Sequence, residues 1–388
     1  MIETSIKTKR IDGQNSWQFS SDKVEAAITE VGGQLAPVQF HLPGRSIQPF
    51  SIAPWAEEKT SGIPPIIEAL RGDFFCAPFG GNDAPYEGEF HPVHGETANE
   101  KWAFQSLEND ASGVTLRLSL DTRIRVGCVD KTIHLRHGHT AIYSQHVFNG
   151  MSGRMNFGHH AMLMFPDEPG SGRVSTSTLK LGCVAPLPFE EPVNRGYSCL
   201  KPGSKFTRLD RVPLVQGGMA DLSSYPARRG YEDLVQIVHE DAPDFAWTAV
   251  AFPSEGYVWM ALKDPRVLRS SIFWISNGGR HFAPWNGRHV NVLGMEDVTS
   301  YFHYGIKGSC EPNAISEAGF PTFTTLSSEQ PTTVNYIMAV AEIPRDFDRV
   351  KTIRPIETGV VLEDANGQHI KVPLDVSFLY RDELSRSR

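Results

Sequence analysis

Val114, Leu116, Leu118 and Leu120 alternate with Thr115, Arg117, Ser119 and Asp121, the two-residue period of a strand with one face in an apolar core. An amphipathic helix needs its apolar residues at i, i+3, i+4 and i+7, and no segment keeps that pattern for ten or more residues. Shorter strand-like runs occur at 24–28, 35–40, 133–135, 143–148, 257–262, 272–275 and 334–340. Turn-forming pairs separate them: Gly32-Gly33, Asn149-Gly150, Asn277-Gly278-Gly279 and Asn286-Gly287,. Many short strands in one long chain predict an all-β fold, a large antiparallel β-sandwich with few short helices, rather than alternating β and α units.

With 388 residues, 40% of them apolar, the chain can bury a large core without disulfides or metal,. Its 34 glycines and 27 prolines are spread throughout, so nothing marks a linker, and residues 1–345 read as one domain. Residues 346–388 read as a C-terminal extension, with a hairpin around 364–368 and a charged tail, RDELSRSR, expected to fray,. A formal charge of -8 gives no basic stripe to displace counterions from a nucleic acid, and no reason to expect an anionic membrane surface,. Arg71, Arg280 or Arg288 could still hold a small anion locally. The five cysteines, Cys76, Cys128, Cys183, Cys199 and Cys310, form no CxxC pair and read as reduced thiols,. The first residues, MIETSIKTKRIDGQNSW, hold no apolar leader segment, and nowhere do 18 apolar residues run together,. The expectation is a cytoplasmic monomer or homodimer.

Residue types able to do chemistry are grouped in a few places. The stretch RGDFFCAPFGGNDAPYEGEFHPVHGETANEKW (71–102) puts an arginine, a histidine and a tryptophan into a strand-poor segment, where a rigid scaffold commonly places ligand contacts,. His94 precedes Gly95, so its imidazole can project beside a backbone with no side chain in the way. In MNFGHHAMLMF (155–165) strand geometry sends His159 and His160 to opposite faces, so only one can enter a given cleft,. That divergence also disfavours a His-His metal pair, and neither HExxH nor cysteine ligands accompany it. Finally, Glu296 follows an apolar strand in HVNVLGMEDVTSYFHYG (289–305), where a carboxylate needs a partner or a role,. Asp297 falls on the opposite face, as a turn or cap residue.

Taken in order with VEAAITEVGGQLAPVQF (24–40), these segments resemble the galactose mutarotase (aldose 1-epimerase) superfamily over about residues 20–345. The resemblance implies that superfamily's large sandwich. It implies Arg71 as a substrate contact, His160 rather than His159 as the cleft histidine, and Glu296 as the late-chain base. It also implies Asp233, in GYEDLVQI, holding sugar hydroxyls, and Trp274 and Asn277, in FWISNGG, forming part of the ligand wall. Three positions depart from the pattern: Ala98 where hexose-phosphate mutarotases carry an arginine, Ala161-Met162 in place of a Pro-aromatic pair, and Asp297 where many relatives have proline.

The implied chemistry interconverts the anomers of a monosaccharide or sugar derivative. A base takes the proton from the C1 hydroxyl while an acid protonates the ring oxygen, so the ring opens and recloses. Glu296 is the expected base and His160 the expected acid, on opposite sides of the ring, with His94 steadying the ring oxygen. No metal or organic cofactor is required. Two other outcomes of the same fold are a non-catalytic carbohydrate-binding protein and a polysaccharide lyase, the latter using a tyrosine such as Tyr301 or Tyr304.

Overall fold

The computed structural model describes residues 2–3, 5–240 and 244–382; the tail beyond 382 lies outside the described residues. Three large antiparallel sheets dominate. A ten-stranded sheet runs Ile2–Glu3, Ala103–Asp110, Gly113–Thr122, Gly127–Arg136, Ala141–Asn149, Thr332–Glu342, Tyr257–Lys263, Ala246–Phe252, Gly172–Thr176, Ser224–Tyr225. An eight-stranded sheet centres on Tyr231–His239, Ser270–Asn277 and Val292–Thr299, and five strands between Lys9 and Ile47 form the third. Among the described residues the α-helices are Pro65–Ala69 and Gly305–Cys310, and none is long and apolar enough to cross a membrane.

Side-chain alternation builds the layers. From the ten-stranded sheet, Val334, Tyr336, Met338 and Val340 face inward with Trp259 and Val250. From the eight-stranded sheet, Val235, Ile237, Phe273, Ile275, Leu293 and Met295 meet them in the same core,. Each of these fully buried aliphatic or aromatic side chains contributes about 1.5–3 kcal/mol.

The opposite face of each sheet is covered as well. Ile337, Ala339, Val258, Met260 and Leu262 turn outward from the ten-stranded sheet and are capped by Val350, Ile353, Val360, Leu362, Val372 and Phe378. The C-terminal segment is therefore a three-stranded meander, Val350–Ile356, Gly359–Asp364 and His369–Pro373, followed by a 3-10 turn at Val376–Tyr380. Within it Gly359–Asp364 pairs with His369–Pro373 across the turn at 365–368, and Val350–Ile356 adds a third strand. From the eight-stranded sheet Leu234, Trp274, Val292 and Val298 turn outward and are covered by Trp55, Ile66, Leu70, Phe74, Phe79 and Trp285. That second cover encloses the cavity described next. All five cysteines are unpaired.

Candidate functional site

A cavity of ≈ 240 Å³ opens on the outer face of the eight-stranded sheet, lined among others by Phe74, Asp83, His94, His160, Trp274, Arg280, Trp285, Glu296 and His303. The register explains why His160 and Glu296 meet. Gly158 pairs with Val298 and Ala161 with Met295, so continuing that antiparallel register sets His160 opposite Glu296, and His159 opposite Asp297. On the other side Gly158 pairs with Cys76 and His159 with Phe75, which sets Phe74 beside His160. The His160 N–H donates to Phe74 O at 2.9 Å, and the two rings stack with centroids 4.6 Å apart. Two residues before Glu296, Gly294 leaves room for the carboxylate: a Cβ there would lie 2.7 Å from Glu296 Oε1 and 3.0 Å from Trp274 Cβ.

His160 Nε2 lies 3.2 Å from Glu296 Oε1, with both side chains nearly buried. They are in contact, not on opposite sides of a sugar-sized gap as the chemistry first suggested, because neighbouring strands in register bring facing residues together. Burial, and then the negative charge of Asp297, push the Glu296 carboxyl well above the ordinary carboxylate range,. Burial, and secondarily Arg280, pull the His160 imidazole down to about 3. Both shifts run against charge on the pair, as burial away from water dictates,.

His94 adopts φ 58, and its Nδ1 accepts from Gly80 N–H at 3.3 Å, which leaves the proton of the neutral ring on Nε2. Gly95 must be glycine, since at φ 75 a Cβ would fall 1.9 Å from Ala77 O,. The His94 ring stands edge-on to Phe79 and to His160, with centroids 4.8 and 5.1 Å away. Burial holds its pKa well below the usual histidine value. Trp274 lines the cavity, its indole N–H donating to Glu232 Oε2 at 2.9 Å.

The remaining sequence-derived positions lie elsewhere. Arg71 is fully buried, its guanidinium donating to Ala69 O, Ile11 O and Asp12 O. It ties the N-terminal hairpin to the segment that carries Leu70, and does not line the cavity. Asp233 sits on the core face, accepting from Cys199 N–H and Leu200 N–H at 3.1 and 2.9 Å. Its neighbour Glu232 occupies the outer face, and also accepts from Ser276 Oγ at 2.9 Å; burial raises its pKa to about 8. Asn277 is bonded to Ala227 O and Asn291 N–H, closing a turn. Arg288 pairs with Glu58 at the surface.

Of the three arginines considered for a small anion, Arg280 is the one on the cavity wall. Its guanidinium packs over Trp285, Phe189 and Trp274, 4.5, 5.1 and 5.4 Å from their ring centres,. His303, Asp83, Phe74 and Trp285 were not anticipated as lining residues. His303 could have been found in the YFHYG end of the Glu296 segment, and burial lowers its pKa to about 4. Among the described residues no group of three or more His, Cys, Asp or Glu side chains is gathered to hold a metal ion.

No family model matches the chain, and no curated protein matches it by sequence. Solved structures do. A candidate aldose 1-epimerase from Klebsiella pneumoniae is similar with a TM-score of 0.58 and 12% identity, covering 88% of this chain and 92% of that one. A galactose mutarotase-like protein from Clostridium acetobutylicum gives 0.56 and 13%, covering 88% and 99%. A candidate aldose 1-epimerase from Escherichia coli gives 0.56 and 14%, covering 85% and 99%. At such identities the likeness concerns the arrangement of the chain. The protein has the galactose mutarotase-like β-sandwich fold.

Proposed function

We propose that the cavity is the active site of an aldose 1-epimerase-like mutarotase. The observation that carries this reading is the His160–Glu296 pair, an imidazole and a carboxyl 3.2 Å apart, both nearly buried at an aromatic-walled cavity. The two oxygens that exchange protons in mutarotation, the C1 hydroxyl and the ring oxygen, are bonded to the same carbon. An acid and a base in contact can therefore serve both from one side of the ring.

In the forward direction one member of the pair takes the hydroxyl proton while the other protonates the ring oxygen, and the ring C–O bond breaks as the C1 carbonyl forms. After the C1–C2 bond rotates, the reverse transfers close the ring on the other carbonyl face and restore the pair. In the ionised pair Glu296 is the base and His160 the acid; with both groups uncharged, the form that burial favours, the roles exchange. His94, with Nε2–H available, donates to the ring oxygen and steadies it. Trp274, held by Glu232, offers a flat apolar wall to the C–H face of a pyranose. The role of Arg71, Asp233 and Asn277 in this scheme is to hold the scaffold, since their polar groups are committed to it.

A binding-only cleft is the second reading, favoured by the same contact, since a pair already closed on itself must be opened by an arriving sugar. The lyase reading loses support: neither Tyr301 nor Tyr304 lines the cavity, and burial raises the pKa of both phenols. Exchange NMR on a panel of neutral aldoses separates the two that remain. Line broadening or saturation transfer between anomers on adding the protein supports the mutarotase. Sugar binding without any faster exchange supports the binding protein and sinks the enzyme.

A further inference from the structure

Arg280 is the one arginine or lysine among the described residues that line the cavity, and a cation in that position would ordinarily mark a site for a sugar bearing an oxyanion. Here its charge already has a partner inside the protein. Glu190 Oε1 accepts from Arg280 Nε in a short contact, with only 16% of the arginine side chain and 11% of the glutamate exposed. Such a half-buried pair is weakly screened by water and salt.

The pair is also held mechanically. Glu190 N–H donates to Ser198 Oγ at 2.8 Å, and Ser198 Oγ donates onward to Glu232 O at 2.7 Å. Gly196 bridges to Arg280 through the backbone; a Cβ on it would stand 2.3 Å from Glu190 Oε2, so the glycine makes room for the carboxylate. On the far side Trp285 and Phe189 face the guanidinium. The other carboxyl groups lining the cavity are those of Asp83 and Glu296. An anionic sugar would meet an arginine whose charge Glu190 already neutralises, with the carboxyl groups of Asp83 and Glu296 beside it.

We infer that Glu190 determines specificity: by occupying Arg280 from within, it closes the cavity to carboxylate- or phosphate-bearing sugars and leaves it to uncharged ones. This rests on the mutarotase reading of the cavity. Arg280 is then a donor to neutral hydroxyls through its Nη groups, and Glu190 a positioning residue that need not touch the sugar. Replacing its charge while keeping its shape would unmask the arginine.

The test measures anomer exchange by NMR for D-glucose, D-glucuronate and D-glucose 6-phosphate, and for D-galactose and D-galacturonate, with wild type and Glu190→Gln. Wild type is expected to favour the neutral sugar over both anionic forms by at least about ten-fold in kcat/KM. In Glu190→Gln that ratio should fall by about ten-fold, mainly through a lower KM for the anionic sugars. Should Glu190→Gln fail to fold by circular dichroism, Glu190→Asp, one methylene short of Arg280, carries the same test with a smaller shift. Comparable exchange of neutral and anionic sugars by wild type, or an unchanged ratio in a folded variant, overturns the inference and leaves the mutarotase reading standing. No acceleration of any sugar by wild type removes that reading, and this inference with it. Glucuronate and the 6-phosphate separately show which oxyanion the unmasked arginine accepts.

Discussion

His159 and His160, and Asp297 and Glu296, are neighbours in sequence that end on opposite faces of one sheet, and the two faces treat them differently. On the core face His159 Nδ1 lies 2.8 Å from Asp73 Oδ2, and its ring stacks on Tyr336. Asp297 receives Lys263 Nζ, Ser271 Oγ and Tyr336 OH at 2.5, 2.5 and 2.8 Å. Both oxygens of Asp297 have been given donors by the protein itself, which is how a buried charge persists in a core,. On the outer face Glu296 meets a neutral imidazole at 3.2 Å beside an open cavity. A carboxylate surrounded by donors is scaffold; a carboxyl pushed above its ordinary range beside an imidazole at the edge of a cavity is placed to exchange a proton,.

The sharpest way to break this contrast is to remove the partner on the core side. Lys263→Met leaves Asp297 buried without its cation, and unfolding in denaturant should show a loss of about 3–5 kcal/mol. If stability changes by less than about 1 kcal/mol, Asp297 is not the structural charge described here.

The next effect is on stability against pH. Burial holds His160, His239 and His289 at about 3 and His303 at about 4, against an ordinary 6.5. Between those values and 6.5 the unfolded chain binds more protons than the folded one, so stability falls as pH drops through that window. Glu232, raised to about 8, and Asp233, raised to about 6, act with the opposite sign. Their contribution is full below their ordinary values and lost as pH rises through the folded ones. The histidines on both faces outnumber these carboxyls, so Tm should fall between pH 6.5 and 4. A flat or rising Tm over that interval would mean that the imidazoles are charged in the folded protein.

A smaller effect tests the face assignment itself. Asp233→Asn removes the charge that accepts from the Cys199 and Leu200 amides, and should cost about 1–3 kcal/mol of stability while leaving sugar affinity in place. Lost affinity with stability intact would return Asp233 to the binding surface.

The half-buried strand was legible because its period shows: the expected run from Val114 to Asp121 lies within Gly113–Thr122, whose burial alternates. Tyr231–His239 and Ala246–Phe252 escaped notice for a physical reason. Both sheets are covered on both faces, so these strands are buried on each side and do not alternate,. The same fact misdirects a reading of the site. Asp233 and Glu232 are equally plausible by type, and only the parity of a strand that hides its parity tells them apart. At His160 the Gly-His-His order left the face undecided from the residues alone, and the resemblance to mutarotases selected it. Arg71 was misleading because a buried arginine committed to the carbonyls of Ala69, Ile11 and Asp12 looks, in sequence, like an arginine in a ligand loop. Phe74 and Trp285, and the choice of Arg280 over Arg71 and Arg288, required the cover over the outer face, which is assembled from segments far apart in the chain.

The most direct measurement is the anomer exchange rate of an aldose that the wild type accelerates, repeated with Glu296→Gln at matched concentration. The account predicts a fall of about 10²–10⁴-fold, with the fold retained and Tm unchanged or higher, because a carboxyl strained by burial has been replaced by a neutral group of the same shape. Undiminished exchange in a folded Glu296→Gln protein would contradict it.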